Sequence, residues 1–427
     1  MKEELLWFVW QYKAFDQKAL ITTDGQPIEI LKLGQRNADA GPDFLNAQIK
    51  LGNTVWAGNV EMHVSASLWN LHNHNIDPAY DNVILHVVMQ ADEEIKTTHG
   101  RTIACLKISE FWNQKLIDEA LALSENLLAI SCAAQLKTVD NMVLKMWLER
   151  MAIDRLEEKS AAIIQKLSKN NFDWAQTFYE ILARNLGMQI NSEPMEWLAH
   201  ATPNQLLAKV KPSLFIIEAI LLGQSGLLNS APDDEYVAAL LHEYTYQAKK
   251  WNLQALQPHV WKHLRLRPAN FPAVRIAQLA ALVNRSEHLF SLLIETDIQK
   301  LASLFDVEAS TYWNNHYQLG KVNELVMTKR LGSSAVNSIL INAAAPMLFT
   351  YGKHIGNEDL KQKAMDLLLH IGAEKNRFTR LYENLGLKPE QALESQAMIQ
   401  LYKQYCEPKN CIKCGIGTNL LLNQLKA

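Results

Sequence analysis

Acidic and imidazole side chains interrupt two strand-like apolar patterns between Gly41 and His86. Asp43 opens the first pattern, and Glu61 and His63 stand two residues apart in the second. Side chains alternate along a strand, so Glu61 and His63 are expected to point to the same face. The pattern predicts that Asp43 and Glu61 bind Mg²⁺ or Mn²⁺ through oxygen and that His63 orients or activates a water molecule. The alternative is a solvated polar edge on a half-exposed sheet.

More imidazoles follow in the connector SASLWNLHNHNIDPAYD. His72 and His74 share a face if this connector is extended. With the acid and imidazole of the preceding strand they could form a mixed nitrogen and oxygen site for Mn²⁺ or Zn²⁺; the alternative is a polar connector without ligands. Asp77 precedes a proline, which favours a role in capping a short helical turn. His86 stands alone in an apolar run, which is more typical of a core histidine than of a metal ligand.

Three of the five cysteines lie close together late in the chain: Cys406, Cys411 and Cys414. The last two have the two-residue gap that is common in zinc and iron–sulfur sites. Both kinds of centre usually take four ligands, so the pattern predicts a fourth from Cys132, Cys105 or a histidine. An odd count with three bunched together fits reduced thiols or a metal site better than a disulfide framework. The alternative is free thiols in a C-terminal tail.

Three arginines surround the stretch RLRPANFPAVR: Arg265, Arg267 and Arg275. Their forked side chains suit phosphate, with Trp251 and Trp261 near in sequence for stacking. The preferred interpretation is a junction between helices, where the two prolines end one helix and restart another and Asn270 caps the second.

A helix and a hairpin must position the first cluster. The run from Glu3 to Phe15 predicts a largely buried helix with an acidic first turn. Alternation from Phe44 to Val64, around the turn dipeptide Gly52-Asn53, predicts a hairpin.

The register of that hairpin decides where Asp43 points. A two-residue turn pairs Asp43 with Met62 and places the carboxylate on the wrong face. We therefore expect either an extra residue in the return strand, with Gly58 as the site of a bulge, or a longer turn. Both would pair Asp43 with His63.

After about the first quarter of the chain, the apolar pattern changes from one typical of strands to one typical of helices. Val83 to Met89 is an almost continuous apolar run, as in a strand buried on both faces. From Phe111 onward the apolar period is 3.6 residues, which predicts helices. The expected fold class is α+β: a small α/β domain over residues 1–115, followed by an α-helical domain over residues 116–427 that carries the cysteine cluster.

Pro42-Asp43, followed by Glu61-Met62-His63 on the next strand, resembles the core motif of the PD-(D/E)XK nuclease superfamily. The resemblance implies a restriction-endonuclease-like fold and a metal-dependent nuclease. The first helix could supply the additional acidic residue that many members carry, from Glu3 or Glu4. His63 stands where the superfamily usually has lysine. Some helicase-nuclease subunits of this superfamily hold an iron–sulfur cluster with three late cysteines and one distant cysteine, although with a different spacing.

Over its full length the chain resembles an uncharacterised bacterial family, a domain of unknown function. The matching stretches are NADAGPDFLNAQI, WAGNVEMHV, DPAYDNVILHVV, LRLRPANFPAVRIAQLA and the cysteine-bearing tail. This resemblance implies no particular activity.

Composition narrows the class of protein. A hydrophobic content of 48% and a net charge of -3 are typical of a globular protein without a global basic field. No apolar run approaches the roughly 18 residues needed to span a bilayer, and the beginning of the chain does not resemble a signal peptide. We expect a cytoplasmic protein with no membrane partner; nucleic acid is the expected ligand, and the sequence names no protein partner.

The leading hypothesis is a metal-dependent phosphodiesterase or nuclease. The rival is a non-catalytic module that binds nucleic acid or protein on a degenerate nuclease fold, and a third hypothesis is a hydrolase of small phosphate esters. An enzyme predicts that the acids and imidazoles converge on one cation. A binding module predicts that they diverge, or that Trp56 or Trp69 fills the space between them.

Overall fold

The computed structural model describes residues 3–37, 39–230, 233–286 and 288–424. By their internal contacts they form two compact units. Unit 1 comprises Met1–Leu148, Arg380–Leu387 and Met398–Ala427, and unit 2 comprises Glu149–Thr379 and Lys388–Ala397. The late cysteines thus belong with the first unit, because Cys411 is part of its main apolar core. The predicted domain boundary between residues 115 and 116 stays a prediction. The division by internal contacts lies between Leu148 and Glu149, inside the helix Asn141–Lys169.

The expected α+β class is confirmed. The elements up to residue 169 are α1 (Glu3–Gln11), β1 (Ile28–Lys32), β2 (Gln35–Arg36), β3 (Phe44–Leu51), β4 (Thr54–Ser65), α2 (Leu68–Leu71), β5 (Val83–Gln90), β6 (Ala104–Lys107), α3 (Gln114–Glu125) and α4 (Asn141–Lys169).

Unit 1 is built on a six-stranded sheet with the order β1-β3-β4-β5-β6, in which β2 also pairs with β3. The β1–β3 and β3–β4 pairs are antiparallel, and the β4–β5 and β5–β6 pairs are parallel. The predicted hairpin is therefore confirmed as β3 and β4. The connector from β4 to β5 crosses over and carries α2. The buried strand β5 is also confirmed, since its residues from Val83 to Val88 are all buried.

The register of the hairpin differs from both predicted versions. Its turn has two residues and pairs Leu51 with Thr54, but further along Phe44 pairs with Val60. The extra residue thus lies in β3, not in the return strand. It falls at Asn46, whose φ of 59° lies in the left-handed region that asparagine tolerates better than most residues. Asp43 is consequently opposite Glu61, so both side chains still reach the same face.

Gly58, where the bulge was predicted, has another role. A Cβ atom there would lie 2.4 Å from the Asn82 carbonyl oxygen and 2.5 Å from Ile84 Cγ2. The Asn59 N–H donates to that same carbonyl at 2.8 Å. A glycine therefore lets β5 begin in close contact with β4.

The two faces of the sheet have different partners. Apolar side chains of one face pack against α1 and α3, for example Val60, Met62 and Val87. The other face carries a smaller apolar cluster around Trp69 and Tyr80, and Glu61 and His63 lie buried in β4 between the strand positions of Val60, Met62 and Val64. Alternation therefore places the polar cluster on the second face.

Unit 2 is largely helical. The elements after α4 are α5 (Trp174–Leu186), α6 (Ser192–Ala201), α7 (Asn204–Val210), α8 (Leu214–Gln224), α9 (Glu235–Trp251), α10 (Pro272–Arg285), α11 (Leu289–Glu295), α12 (Ile298–Leu301), β7 (His316–Gln318), β8 (Lys321–Val322), α13 (Ser333–Ile339), α14 (Ala345–Ile355), α15 (Glu358–His370), α16 (Arg377–Glu383), α17 (Ala392–Leu401) and α18 (Gly415–Gln424). The last of these belongs to unit 1, and α16 and α17 are divided between the units.

The 3.6-residue period had predicted an uninterrupted series of helices after Phe111. Unit 2 departs from this prediction in one region. Short 3₁₀ turns and the small β7–β8 hairpin interrupt the helices between Ala302 and Gly332. Elsewhere neighbouring helices pack in pairs, such as α5 with α6, α8 with α9 and α14 with α15. Within the described ranges, none of the helices combines the length and apolar character needed to cross a bilayer.

Candidate functional site

Asp43 and Glu61 are linked through each other's backbone. The Asp43 N–H donates to Glu61 Oε2 at 3.0 Å, and the Met62 N–H donates to Asp43 Oδ2, also at 3.0 Å. Arg36 Nη1 donates to the Asp43 carbonyl at 2.9 Å and to Asp43 Oδ1 at 3.3 Å. Both Asp43 oxygens and one Glu61 oxygen are thus occupied within the protein, and Glu61 Oε1 is left to face the imidazoles.

Two of the predicted imidazoles, those of His63 and His74, approach that oxygen, and His72 approaches His63. Glu61 Oε1 lies 3.6 Å from His63 Nε2 and 3.6 Å from His74 Nε2. His72 Nδ1 lies 3.2 Å from His63 Nε2. Among the residues that the structure describes, the three histidines form the set whose ligand atoms all lie within 4.8 Å of one another. We call Glu61, His63, His72 and His74 the imidazole site.

His72 and His74 reach β4 through a turn and not through an extended connector. Asn73 between them has a φ of 63°, in the left-handed region, and the His74 N–H donates to the Trp69 carbonyl at 3.0 Å. The reversal turns both rings toward His63, whose centroid is 5.0 Å from that of His72 and 5.4 Å from that of His74. Asp77 lies outside this cluster and caps the 3₁₀ turn Pro78–Tyr80 by accepting from the Ala79 N–H, as predicted.

His86 supports His63 from the neighbouring strand. Parallel pairing places it opposite Glu61, and His86 Nε2 lies 2.8 Å from His63 Nδ1. It is fully buried, as expected of a core histidine, but its Nδ1 has no hydrogen-bond partner among the described residues. Trp69 packs against the rings of His74 and His86 and donates its indole N–H to the Lys96 carbonyl. It forms a wall behind the imidazoles and does not separate them, while Trp56 is partly exposed.

Burial raises the pKa values of three acids at this site: Glu61, Asp43 and Glu3. It raises the pKa of Glu61 to about 9, and the nearby Asp43 charge acts in the same direction. Burial also raises the pKa of Asp43, against the opposing effect of the Arg36 guanidinium. The pKa of Glu3 on α1 is raised by burial and then by Asp43. Glu3 therefore lies within electrostatic reach of Asp43 and Glu61; its role as the additional acid stays a prediction.

Burial keeps three of the imidazoles neutral: those of His63, His74 and His86. Burial, followed by His86, lowers the pKa of His63 to about 2. Burial, followed by His72, lowers the pKa of His74 to about 4, and burial, followed by His74, lowers the pKa of His86 to about 3. Neutral imidazoles are the form that binds metal. His63 is only 1% exposed and both of its nitrogens face other side chains, which suits a ligand better than a general base that exchanges protons with water.

Two contributors to this site were not found from the sequence. Arg36 lies on the short strand β2, and Tyr80 stacks on His74 with their ring centroids 3.7 Å apart. Neither has a local signal, because each approaches the site through tertiary packing. Arg36 precedes the hairpin, and Tyr80 lies in the connector but six residues after His74, at a spacing that does not predict a ring contact.

Cys132, one of the predicted fourth ligands, packs against the apolar core that contains Cys411. Burial raises the pKa of Cys132 to about 12, and Cys406 and Cys411 contribute to that rise. Burial also raises the pKa of Cys414 to about 12, with contributions from Cys406 and Cys132. Cys105 lies on β6. Burial raises the pKa of its thiol to about 11; Thr23 opposes the rise, and Asp24 and Asp92 add to it. All five cysteines are free of disulfides.

Hydroxyl groups accompany these thiols. The Tyr382 hydroxyl lies 3.4 Å from Cys406 Sγ, and the Ser131 hydroxyl opposes the rise that burial causes in the pKa of Cys411. Cys411 Sγ itself lies 3.6 Å from the Leu123 carbonyl oxygen. We call Cys132, Cys406, Cys411 and Cys414 the thiol cluster.

The chain was compared with known proteins. It matches the model of the family described as Protein of unknown function (DUF2851) over residues 3–377. Neither a curated protein nor a solved structure matches it.

Proposed function

We propose that this chain, which belongs to the DUF2851 family, is a metal-dependent hydrolase of phosphodiester bonds in nucleic acid. One observation carries the proposal: a buried carboxylate oxygen, Glu61 Oε1, lies 3.6 Å from imidazole nitrogens of both His63 and His74. A tetrahedral site with metal–ligand bonds of about 2.0–2.2 Å has edges of about 3.3–3.6 Å between its ligand atoms. The two distances from Glu61 Oε1 match such edges, and the ligand atoms of His63, His72 and His74 lie within 4.8 Å of one another; both observations support a shared cation.

The ligand types favour a cation that accepts nitrogen. Imidazole and carboxylate together suit Mn²⁺ or Zn²⁺, whereas Mg²⁺ prefers oxygen. Of the two cations expected from the sequence for the acids, Mn²⁺ is therefore the better candidate. When bound, the cation would lower the pKa of a water molecule and stabilise charge that develops at phosphorus.

The residues around the cation have distinct roles in the proposal. Glu61, His63, His72 and His74 bind it. Asp43, which the sequence analysis assigned to the metal, positions Glu61 through its backbone N–H and adds negative charge beside the cation. His86 holds His63 in orientation through the 2.8 Å contact between their nitrogens, as partners of metal-binding histidines commonly do.

Phosphodiesters are proposed as substrates because of the arrangement of the chain around the site. A helix that carries Glu3 precedes an antiparallel pair with Asp43 and Glu61, and a crossover then leads to a parallel strand. This order is similar to that of the PD-(D/E)XK nucleases. The assignment to that superfamily is part of the proposal.

A non-catalytic module is the second candidate, and the burial of the ligands favours it. Glu61 is 6% exposed and His74 is 9% exposed, whereas His72 is exposed. A site so enclosed could hold a structural cation that fixes the connector onto the sheet. The sequence had predicted that these side chains diverge in a non-catalytic module. Since they approach one another instead, the module proposed here also holds the cation and differs from the hydrolase in cleavage.

The test combines metal content with cleavage. Protein in which Cys414→Ser removes a ligand of the thiol cluster should contain or take up about one Mn²⁺ or Zn²⁺ per chain, and adding Glu61→Gln should abolish this uptake. Glu110→Gln, which alters an exposed acid paired with Lys107, is the matched control. The loaded wild type should cleave single- or double-stranded DNA or RNA, and Glu61→Gln should reduce cleavage by more than about 100-fold.

The outcomes separate the candidates. Uptake without cleavage of any nucleic acid leaves the non-catalytic module. Cleavage that survives in Glu61→Gln removes the imidazole site from the mechanism, and absence of uptake contradicts both candidates.

For the thiol cluster we propose an iron–sulfur cluster, the second of the two centres expected from the sequence. Zinc bound by four thiolates would bring sulfur atoms within about 3.8 Å of one another. No three thiols among the described residues belong to a set of ligand atoms within 4.8 Å, which disfavours a zinc ion held by all four. The choice of an iron–sulfur cluster rests on the resemblance to helicase-nuclease subunits that hold one with three late cysteines and one distant cysteine. The Tyr382 hydroxyl beside Cys406 supports negatively charged sulfur, since it can donate to a thiolate.

A further inference from the structure

Arg275 of α10 is a buried cation in unit 2 that has no acidic partner among the residues the structure describes. It is 6% exposed. Its Nη1 donates to Gln278 Oε1 at 2.9 Å and its Nη2 donates to Asn270 Oδ1 at 2.6 Å. Both acceptors are neutral amides, and Nε has no partner among the described residues. The sequence had suggested that Asn270 caps α10. Instead Asn270 binds this arginine, and Phe271 occupies the capping position.

The absence of a counter-ion has a physical consequence. Burial lowers the pKa of Arg275 only to about 10, so the side chain stays charged near neutral pH. A buried charge costs free energy unless an opposite charge or enough hydrogen bonds compensate it. Two neutral amides and an unpaired Nε leave this guanidinium incompletely compensated.

A second buried cation lines the same cavity. Lys329 is 3% exposed, and its Nζ donates to the carbonyls of Asn314 at 3.0 Å and Met327 at 2.8 Å. The cavity has a volume of about 810 Å³. Its other charged lining residues are Arg267, Arg330, Lys375 and Glu374.

The balance of these charges is positive. Arg330 already pairs with Asp306, while the oxygens of Glu374 accept from the amides of Asn342 and Gln396. Hydroxyl donors complete the lining: Thr328, Ser333, Ser334 and Ser338. Buried cations, amides and hydroxyls together form the donor set that oxyanions require.

We propose that this cavity binds a small phosphorylated anion of about the size of a nucleotide. The volume lies within the range of about 300–1,000 Å³ that is usual for small-molecule sites. Each Nη of Arg275 carries a second hydrogen beyond its amide contact, and these two donors suit phosphate. The anion supplies the counter-charge that the buried cations lack. All lining residues belong to unit 2, so the proposal stands or falls independently of the imidazole site.

The test measures binding directly. Metal-free protein is titrated by calorimetry and thermal denaturation with inorganic phosphate, pyrophosphate, a nucleoside 5′-monophosphate and 5′-diphosphate, and the unphosphorylated nucleoside. We expect at least one phosphorylated probe to bind and to raise the melting temperature, and the nucleoside to do neither. A short oligonucleotide with and without a 5′-phosphate shows whether the ligand is free or is the end of a nucleic acid.

Substitutions separate a binding arginine from a structural one. Arg275→Gln should weaken binding of the phosphorylated probe at least tenfold while leaving the melting temperature of the ligand-free protein unchanged or higher, because an uncompensated charge is removed. Lys375→Ala, at an exposed position on the cavity rim, should weaken binding without any effect on folding. Arg150→Gln, which alters an exposed arginine paired with Asp154, is the control.

Three results would overturn the proposal. One is that no phosphorylated probe binds. Another is that the nucleoside, or the oligonucleotide without a phosphate, binds as well as its phosphorylated form. The third is that Arg275→Gln destabilises the ligand-free protein and Lys375→Ala leaves binding unchanged, which would make Arg275 a structural residue.

Discussion

Glu61 accepts a hydrogen bond from the backbone N–H of Asp43 at 3.0 Å, directly across the hairpin. The contact fixes one oxygen of Glu61 and directs the other toward His63 and His74. Without a cation this arrangement places an acid in a buried environment among neutral rings. Burial away from water disfavours a charged carboxylate, so Glu61 is expected to be protonated when no cation is bound.

Metal-free Glu61→Gln should be more stable than wild type at pH 8. The pKa of Glu61 in the folded protein is about 9, above the ordinary value of 4.5. Its contribution to the free energy of unfolding is therefore fully present below pH 4.5 and is lost as the pH rises toward 9. Glutamine stays neutral and avoids this loss. Melting temperatures measured in chelator from pH 4.5 to pH 9 should diverge in favour of Glu61→Gln as the pH rises.

The control for this measurement is Glu110→Gln, whose melting temperature should follow that of wild type at every pH. A lower melting temperature for Glu61→Gln at pH 8 would contradict the protonated state of Glu61. Metal should reverse the order, because only wild type retains the carboxylate ligand.

Acidification should destabilise metal-free protein through the buried imidazoles. The folded-state pKa values of His74 and His86, about 4 and about 3, lie below the ordinary histidine value of 6.5. Their contribution is present above pH 6.5 and is lost as the pH falls toward those values. His86→Leu removes one group that must become charged, so its melting temperature should fall less between pH 7 and pH 5. His99→Asn, at an exposed histidine, should behave as wild type. Equal slopes for His86→Leu and wild type would count against the buried, neutral state of His86.

The bulge at Asn46 should determine the geometry of Asp43. Asn46 has a φ of 59°, and a β-branched residue in this region costs about 1–2 kcal/mol. We expect Asn46→Val to lower the free energy of unfolding by about that amount and to weaken metal binding, because relief of the strain shifts β3 by one residue and turns Asp43 to the other face. Asn46→Gly keeps the conformation and should retain metal binding. Denaturant unfolding and metal titration provide the two measurements. Unchanged metal affinity in Asn46→Val would show that the position of Asp43 does not depend on the bulge.

Local sequence patterns predicted the secondary-structure elements better than they predicted the contacts between those elements. Alternation correctly placed Glu61 and His63 on one face, and the apolar run correctly indicated that β5 is buried. The need for one extra residue was also recognised, but a strand pattern does not show which strand carries it, since Asn46 looks like any outward-facing polar residue. The contact of His86 with His63 depends on parallel pairing between β4 and β5, which has no signature in spacing.

The thiol cluster illustrates the same limit over a longer separation. The gap between Cys411 and Cys414 is a local motif, whereas Cys132 is brought near them by packing against the core that contains Cys411. The sequence could name it only as one of several candidates. Composition also gave no sign that Arg275 would be buried without an acid, because helical periodicity does not report the partners of a side chain.

Substitution of Cys132 tests whether the four thiols form one centre. Protein purified without oxygen should contain iron and acid-labile sulfide, with the broad visible absorption of an iron–sulfur cluster. Cys132→Ser should lose most of the iron and sulfide, to the same extent as Cys414→Ser, because each removes one of four ligands. Cys105→Ser, which alters a half-buried thiol on β6, is the matched control and should retain both. Zinc without sulfide would replace the proposed cluster with a zinc site, and full iron content in Cys132→Ser would exclude Cys132 as a ligand.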